Sequence, residues 1–201
     1  MKTSIISAIV LAALSVSAAP SSGKNNGRNR CRTRGNNGRD RDCDLRDYPF
    51  EFTSDYRVVA TPGQVVDTNN VRTGGLPGAI GFYNYGINSD ENVICYNITL
   101  YGFRGEYQSA ANTATHIHQA RKGLAGPPRI AIPNPQVVPG NPDKRVSLGC
   151  LTGPFTTGIV VNGADTGAGF TVSQIEDNPK GFFTDVHSSL AVPGAVRGQL
   201  S

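Results

Sequence analysis

Between Val93 and Phe103 apolar and polar side chains alternate: Ile94, Tyr96, Ile98 and Leu100 fall on one side, Cys95, Asn97, Thr99 and Tyr101 on the other. A period of two puts successive side chains on opposite faces of an extended chain, so this run is a β-strand with one buried face. Just upstream, Ala79 to Tyr85 sets Ile80, Phe82 and Asn84 against Gly81, Tyr83 and Tyr85, and the polar stretch Asn88 to Asn92 separates the two runs. Together they read as an antiparallel hairpin. With 24 Gly and 13 Pro among 201 residues, the chain is interrupted too often for a helical bundle.

Shorter strand-like pieces occur at Tyr56 to Ala60, Gln64 to Val66, Ile130 to Ile132, Arg145 to Leu151, Phe182 to His187 and Ala195 to Leu200. The last two are expected to join through a Val192-Pro193-Gly194 turn, and a Pro-rich loop is expected to follow Ile132. Thr171-Val172-Ser173-Gln174 fits a capping box, which predicts one short helix over residues 171–178, stopped by Pro179. The expected fold is all-β, an antiparallel Greek-key-like β-sandwich.

Lys2, the apolar run Ile5 to Val16 and small residues up to Ala18 read as a signal peptide over residues 1–18. Residues 19–47 then form a basic arm, expected to be disordered, ahead of a folded domain at 48–201. From Lys24 to Asp47 there are eight basic and four acidic residues, whereas residues 48–201 carry ten basic against eleven acidic. The arm has too few apolar groups to offset its ordering entropy. Arg28, Arg30, Arg32 and Arg34 would bind polyanions weakly. In an exported chain the partner is an extracellular protein or a cell-wall polysaccharide rather than nucleic acid.

Four cysteines in an exported chain imply two disulfides, and three connectivities exist. Cys31 and Cys43 lie close together in the polar arm, while Cys95 and Cys150 lie in strand-like sequence, so the simplest pairing is Cys31–Cys43 with Cys95–Cys150. The strand Arg145 to Leu151 is expected to bring Cys150 into the core. Asn97-Ile98-Thr99 is a glycosylation sequon, used if its face of the strand is wet.

His116 and His118 are two residues apart and share a side of an extended segment, and His187 ends another predicted strand. Three neutral imidazoles suit copper or zinc. The alternative is that they cap hydrogen-bond networks within the sheets. Ser188 and Asp185 flank His187, but neighbours along a strand alternate sides, so no local Ser–His–Asp triad is expected. No GxSxG, HExxH or phosphate-binding loop occurs.

Thr115-His116-Ile117-His118, Gly123, Gly126-Pro127, Val186-His187-Ser188 and Pro193-Gly194-Ala195-Val196-Arg197-Gly198-Gln199-Leu200 resemble the CHRD domain, a family that includes chordin and secreted bacterial and fungal proteins. Cys95 to Leu100 resembles its first long strand, and the likeness runs over about residues 56 to 200. Ser188 departs from the family's usual Thr, and the Pro-rich insertion after Pro128 and the Cys95/Cys150 pair are not general to it. The resemblance implies an extracellular β-sandwich module. A weaker resemblance, to copper/zinc superoxide dismutase, matches His116 and His118 to an HxH copper-ligand strand and His187 to a later ligand. The expectation is a secreted, non-enzymatic binding module at the cell surface or wall, with a fungal-type effector as one form of it. A copper-dependent, superoxide dismutase-like enzyme is the alternative.

Overall fold

The computed structural model of the chain describes residues 51–201. The expected signal peptide, the arm with Arg28, Arg30, Arg32 and Arg34, and the Cys31–Cys43 bridge lie outside the described residues. No helix among the described residues is long and apolar enough to cross a membrane.

The strands are β1 (Ser54–Ala60), β2 (Ile80–Asn88), β3 (Val93–Tyr101), β4 (Thr115–Gln119), β5 (Pro128–Ile132), β6 (Gln136–Val138), β7 (Asn141–Thr152), β8 (Val160–Val161), β9 (Ala164–Asp165), β10 (Phe182–Ser188) and β11 (Ala191–Gln199), with one short helix, α1 (Ser173–Asp177). A five-stranded sheet runs β1-β2-β3-β7-β6 and a four-stranded sheet runs β11-β10-β4-β5. All their pairings are antiparallel. Strand β7 lies beside β3 and β10 beside β4, because the β4–β5 hairpin is built in the opposite sheet before the chain returns. These connections give the β-sandwich its Greek-key character.

The alternating row on β3 faces inward: Ile94, Ile98 and Leu100 are essentially sealed from water and Tyr96 is buried. From the small sheet, Ile117, Ile130, Ile132, Val186 and Val196 meet them in one apolar cluster. Each such side chain contributes about 1.5–3 kcal/mol when fully buried. The two layers are also tied by a polar link. Tyr85 donates to the Thr184 hydroxyl at 2.7 Å. Thr184 donates onward to the His116 carbonyl at 2.9 Å.

Strand β2 buries the face opposite to the one its apolar residues suggest. Tyr83, Tyr85 and Ile87 point inward, while Phe82 is 38% exposed. The reason is register: Tyr83 pairs with Ile98 and Tyr85 with Tyr96, so the inward row of β3 dictates which face of β2 follows it. Cys150 does not enter the core. It pairs in register with Cys95 and bonds to it on the outer face of the large sheet, where Cys150 is exposed.

Four further expectations shift. Gln64 to Val66 is not a strand; Pro62–Gln64 forms a 3-10 turn and Val66 makes a single bridge to Arg72. The β10–β11 connection is tighter than expected, at Ser189 and Leu190, and Val192 to Gly194 lie inside β11. The capping box does not form, because the Thr171 hydroxyl pairs with that of Ser173 instead of a backbone N–H. The Pro-rich stretch also holds an added short strand, β6.

Candidate metal centre

Strands β4 and β10 pair with His116 opposite Asp185 and His118 opposite Phe183. Directly opposed residues share a face, and so do residues two apart on one strand. His116, His118, Asp185 and His187 therefore project together from the outer face of the small sheet. Two bulges flank them, one between Ile117 and His118 and one between Val186 and Ser188, and such irregularities re-aim side chains.

Each imidazole uses one nitrogen on a backbone carbonyl. His116 Nε2 donates to Thr113 at 2.7 Å, His118 Nδ1 to Gly126 at 2.8 Å and His187 Nδ1 to Val192 at 2.8 Å. A carbonyl only accepts, so those nitrogens carry the hydrogen, and in the neutral ring the other nitrogen presents a lone pair. All three of these second nitrogens turn toward Asp185. His116 Nδ1 and His118 Nε2 lie 3.5 and 3.3 Å from Oδ1, and His187 Nε2 lies 3.2 Å from Oδ2. His116 Nδ1, His118 Nε2 and Asp185 Oδ1 are buried without a hydrogen-bond partner. One ligand atom from each of the four residues lies within 4.8 Å of all the others.

The distances separate two interpretations. Charge-assisted hydrogen bonds between nitrogen and carboxylate oxygen run to about 2.7–2.9 Å. A tetrahedral ion with bonds of about 2.0–2.1 Å holds its ligand atoms about 3.3–3.4 Å apart. The three nitrogen–carboxylate contacts, of 3.2 to 3.5 Å, lie nearer the second spacing, and the four ligand atoms as a set span up to 4.8 Å.

Burial and charge set the protonation. Burial lowers the His116 pKa, against a smaller upward pull from Asp185. Burial would lower His187 as well, but there the Asp185 carboxylate prevails and the pKa rises to about 9. Burial alone would raise Asp185, yet the neighbouring His118 and His187 hold it well below the usual carboxylate range.

The surroundings are packed against the cluster. Phe183 stacks on the His118 ring at 4.8 Å with a 5° interplanar angle, and the Arg197 guanidinium lies 3.4 Å from the Phe183 ring centre. A cleft of about 310 Å³ opens over the cluster, walled by Val65, Val66, Val192 and Pro193.

The structure thus brings together all three histidines singled out in the sequence and adds Asp185. Its signal was present: Asp185-Val186-His187 has the same two-residue period as the HxH pair. The adjacent Ser188 faces away, its hydroxyl donating to the Arg104 carbonyl. Asn97 is exposed on the outer face of β3.

The family profile described as the CHRD domain matches residues 56–200. No curated protein and no solved structure matches the chain.

Proposed function

The chain belongs to the CHRD-domain family, and from that premise we propose that it is an exported binding module carrying a copper or zinc ion on His116, His118, His187 and Asp185. The observation behind the metal is the convergence of one nitrogen from each of three imidazoles on one buried carboxylate, with the opposite nitrogen of every ring fixed by a carbonyl. That outer arrangement orients imidazole ligands in metal sites generally. Export is supported by the Cys95–Cys150 bridge, which persists in oxidising compartments. The arm residues Arg28, Arg30, Arg32 and Arg34 would add salt-sensitive affinity for polyanions.

A non-enzymatic role is favoured over the copper-dependent, superoxide dismutase-like alternative by the fourth ligand. Catalytic sites keep a coordination position open, whereas structural sites are closed by protein groups. Asp185 brings a carboxylate oxygen within 4.8 Å of all three histidine nitrogens, so as a ligand it would close the position that turnover needs open. In this reading the ion clamps β4 to β10 and fixes the loops whose carbonyls receive the histidine N–H groups.

The test is elemental analysis of protein purified from an oxidising host, beside a His116→Ala/His118→Ala variant. Near-stoichiometric copper or zinc, absent from the folded variant, is expected. Protein that is metal-free and declines added Cu²⁺ and Zn²⁺ would retire the metal centre. Metal accompanied by superoxide turnover would retire the non-enzymatic role.

A further inference from the structure

We propose that an acidic polysaccharide binds a basic groove formed by β1, the loop after β4, the turn before β10 and the end of β11. The inference rests on the binding-module reading above and draws nothing from the metal centre, whose residues do not line the groove. The groove measures about 750 Å³ and is lined by Arg57, Arg121, Lys122 and Lys180, with the amides of Gln64 and Asn178 between them. No Asp or Glu lines it. Among the described residues none of the four cations makes an ion pair.

This concentration is not a by-product of a basic surface. Residues 48–201 carry ten basic and eleven acidic groups, yet four of the basic ones collect here from sites up to 123 positions apart. Like charges brought together repel, so an anion that neutralises them is favoured at this place.

The walls are pinned in place. The two N–H groups of the Gln199 side-chain amide are shared among the Ala120 and Lys180 carbonyls, each 2.9 Å away, and that of Phe182 at 2.7 Å, which ties together the two loops bearing the cations. Arg197 Nη2 donates to the Arg121 carbonyl at 3.2 Å. The chain beyond β1 is joined to β11 by reciprocal bonds between Thr61 and Arg197, at 2.9 and 3.2 Å. Gly198 permits that approach: a Cβ there would lie 2.4 Å from Val58 Cγ1 and 3.0 Å from the Val59 carbonyl. The backbone that carries the cations therefore need not reorder on binding, which leaves their side chains as the main ordering cost.

The lining chemistry selects the occupant. Guanidinium groups match carboxylate and sulfate oxygens in two-pronged hydrogen bonds. The Gln64 and Asn178 amides suit sugar hydroxyls. No aromatic side chain lines the groove. Stacking platforms, on which single-stranded nucleic acid binding relies, are therefore missing from its lining.

The experiment measures affinity of the full chain for sulfated dextran, polygalacturonate and neutral dextran across a salt series, with single-stranded DNA as competitor. An Arg57→Glu/Lys180→Glu variant tests the groove, and an Arg28→Ala/Arg30→Ala/Arg32→Ala/Arg34→Ala variant removes the arm's contribution. Both substituted groove positions are exposed, and thermal melts confirm folding. Expected are preference for the acidic polymers, at least a tenfold loss in the groove variant, and a shallower dependence of log affinity on log salt, by up to about two units. Groove-dependent binding should survive in the arm variant. An unchanged affinity and salt slope in the groove variant would overturn the groove alone. Failure of the unmodified chain to bind any acidic polymer would overturn the binding-module reading with it. DNA competing as well as the polysaccharide would overturn the assignment of the occupant.

Discussion

If the four-residue cluster holds a metal ion, the domain's melting temperature must depend on the free metal concentration in a calculable way. An ion that binds only the folded state stabilises it by RT ln(1 + [M]/Kd), about 2.7 kcal/mol at a hundredfold excess over Kd and about 1.4 kcal/mol more per further decade. For a domain of about 150 residues each kcal/mol moves the melting point by about 2–4 °C. The wild type should therefore melt about 5–11 °C higher at a hundredfold excess than in chelator, and then climb about 3–6 °C per decade without levelling off. Asp185→Asn preserves shape at a site only 4% exposed while removing the charge. Losing a group that merely orients a ligand costs about 10–100-fold in affinity, so losing this carboxylate should cost at least that. The variant's metal response should shrink by about 3–11 °C. Circular dichroism melts of both proteins, in chelator and at stepped Zn²⁺ or Cu²⁺, give the comparison as a difference within each protein. A wild-type melting point flat across three decades of metal, or a full response in Asp185→Asn, would refute the reasoning.

Replacing Cys95 and Cys150 by Ser opens a loop of sequence separation 55. Chain entropy sets the loss at about 4 kcal/mol, readable as a lower denaturant midpoint. Glu176 accepts from Thr53 and Ser54 hydroxyls at 2.6 and 2.5 Å, and although burial pulls upward, these bonds and one from Ser89 lower its pKa from 4.5. The contribution is thus present above pH 4.5 and lost as the pH falls through the lowered value. Glu176→Gln should cost less than about 1 kcal/mol at neutral pH and nothing once the native carboxyl is protonated, as urea titrations at the two pH values would show. Expression in a glycosylating host should give a mass increment at Asn97 that Asn97→Gln removes without changing the melting point, since the side chain is exposed. Gly198→Ala should destabilise by about 1–3 kcal/mol because its Cβ would collide with β1, measurable by the same denaturant titration.

How much of this was legible depended on the reach of each signal. The inward row Ile94, Tyr96, Ile98 and Leu100 could be read because strand periodicity is local, and the paired projection of His116 and His118 followed from the same rule. Applied once more, to Asp185 and His187, that rule would have added Asp185 to the cluster. The inward face of β2 was not legible, since two half-apolar faces compete there and only the pairing of Tyr83 with Ile98 decides between them. Thr171 failed as a cap because a neighbouring hydroxyl, Ser173, outcompeted the backbone. The basic groove was invisible for a topological reason. Arg57, Arg121 and Lys180 meet only because Thr61 bridges to β11 and Gln199 gathers two distant loops, and no window of sequence contains both ends of either contact.

The bridge on the outer face of the large sheet also checks the assembly that produces it. Cys95 and Cys150 stand directly opposite each other on neighbouring strands. A slip of β7 by one position would turn one sulfur toward the opposite side of the sheet, and a slip of two would part them along the strand. Oxidation therefore favours the alignment in which β3 and β7 pair with Cys95 opposite Cys150. The two cysteines act as a proofreading step, recording covalently that the central pair of strands has met in the correct frame.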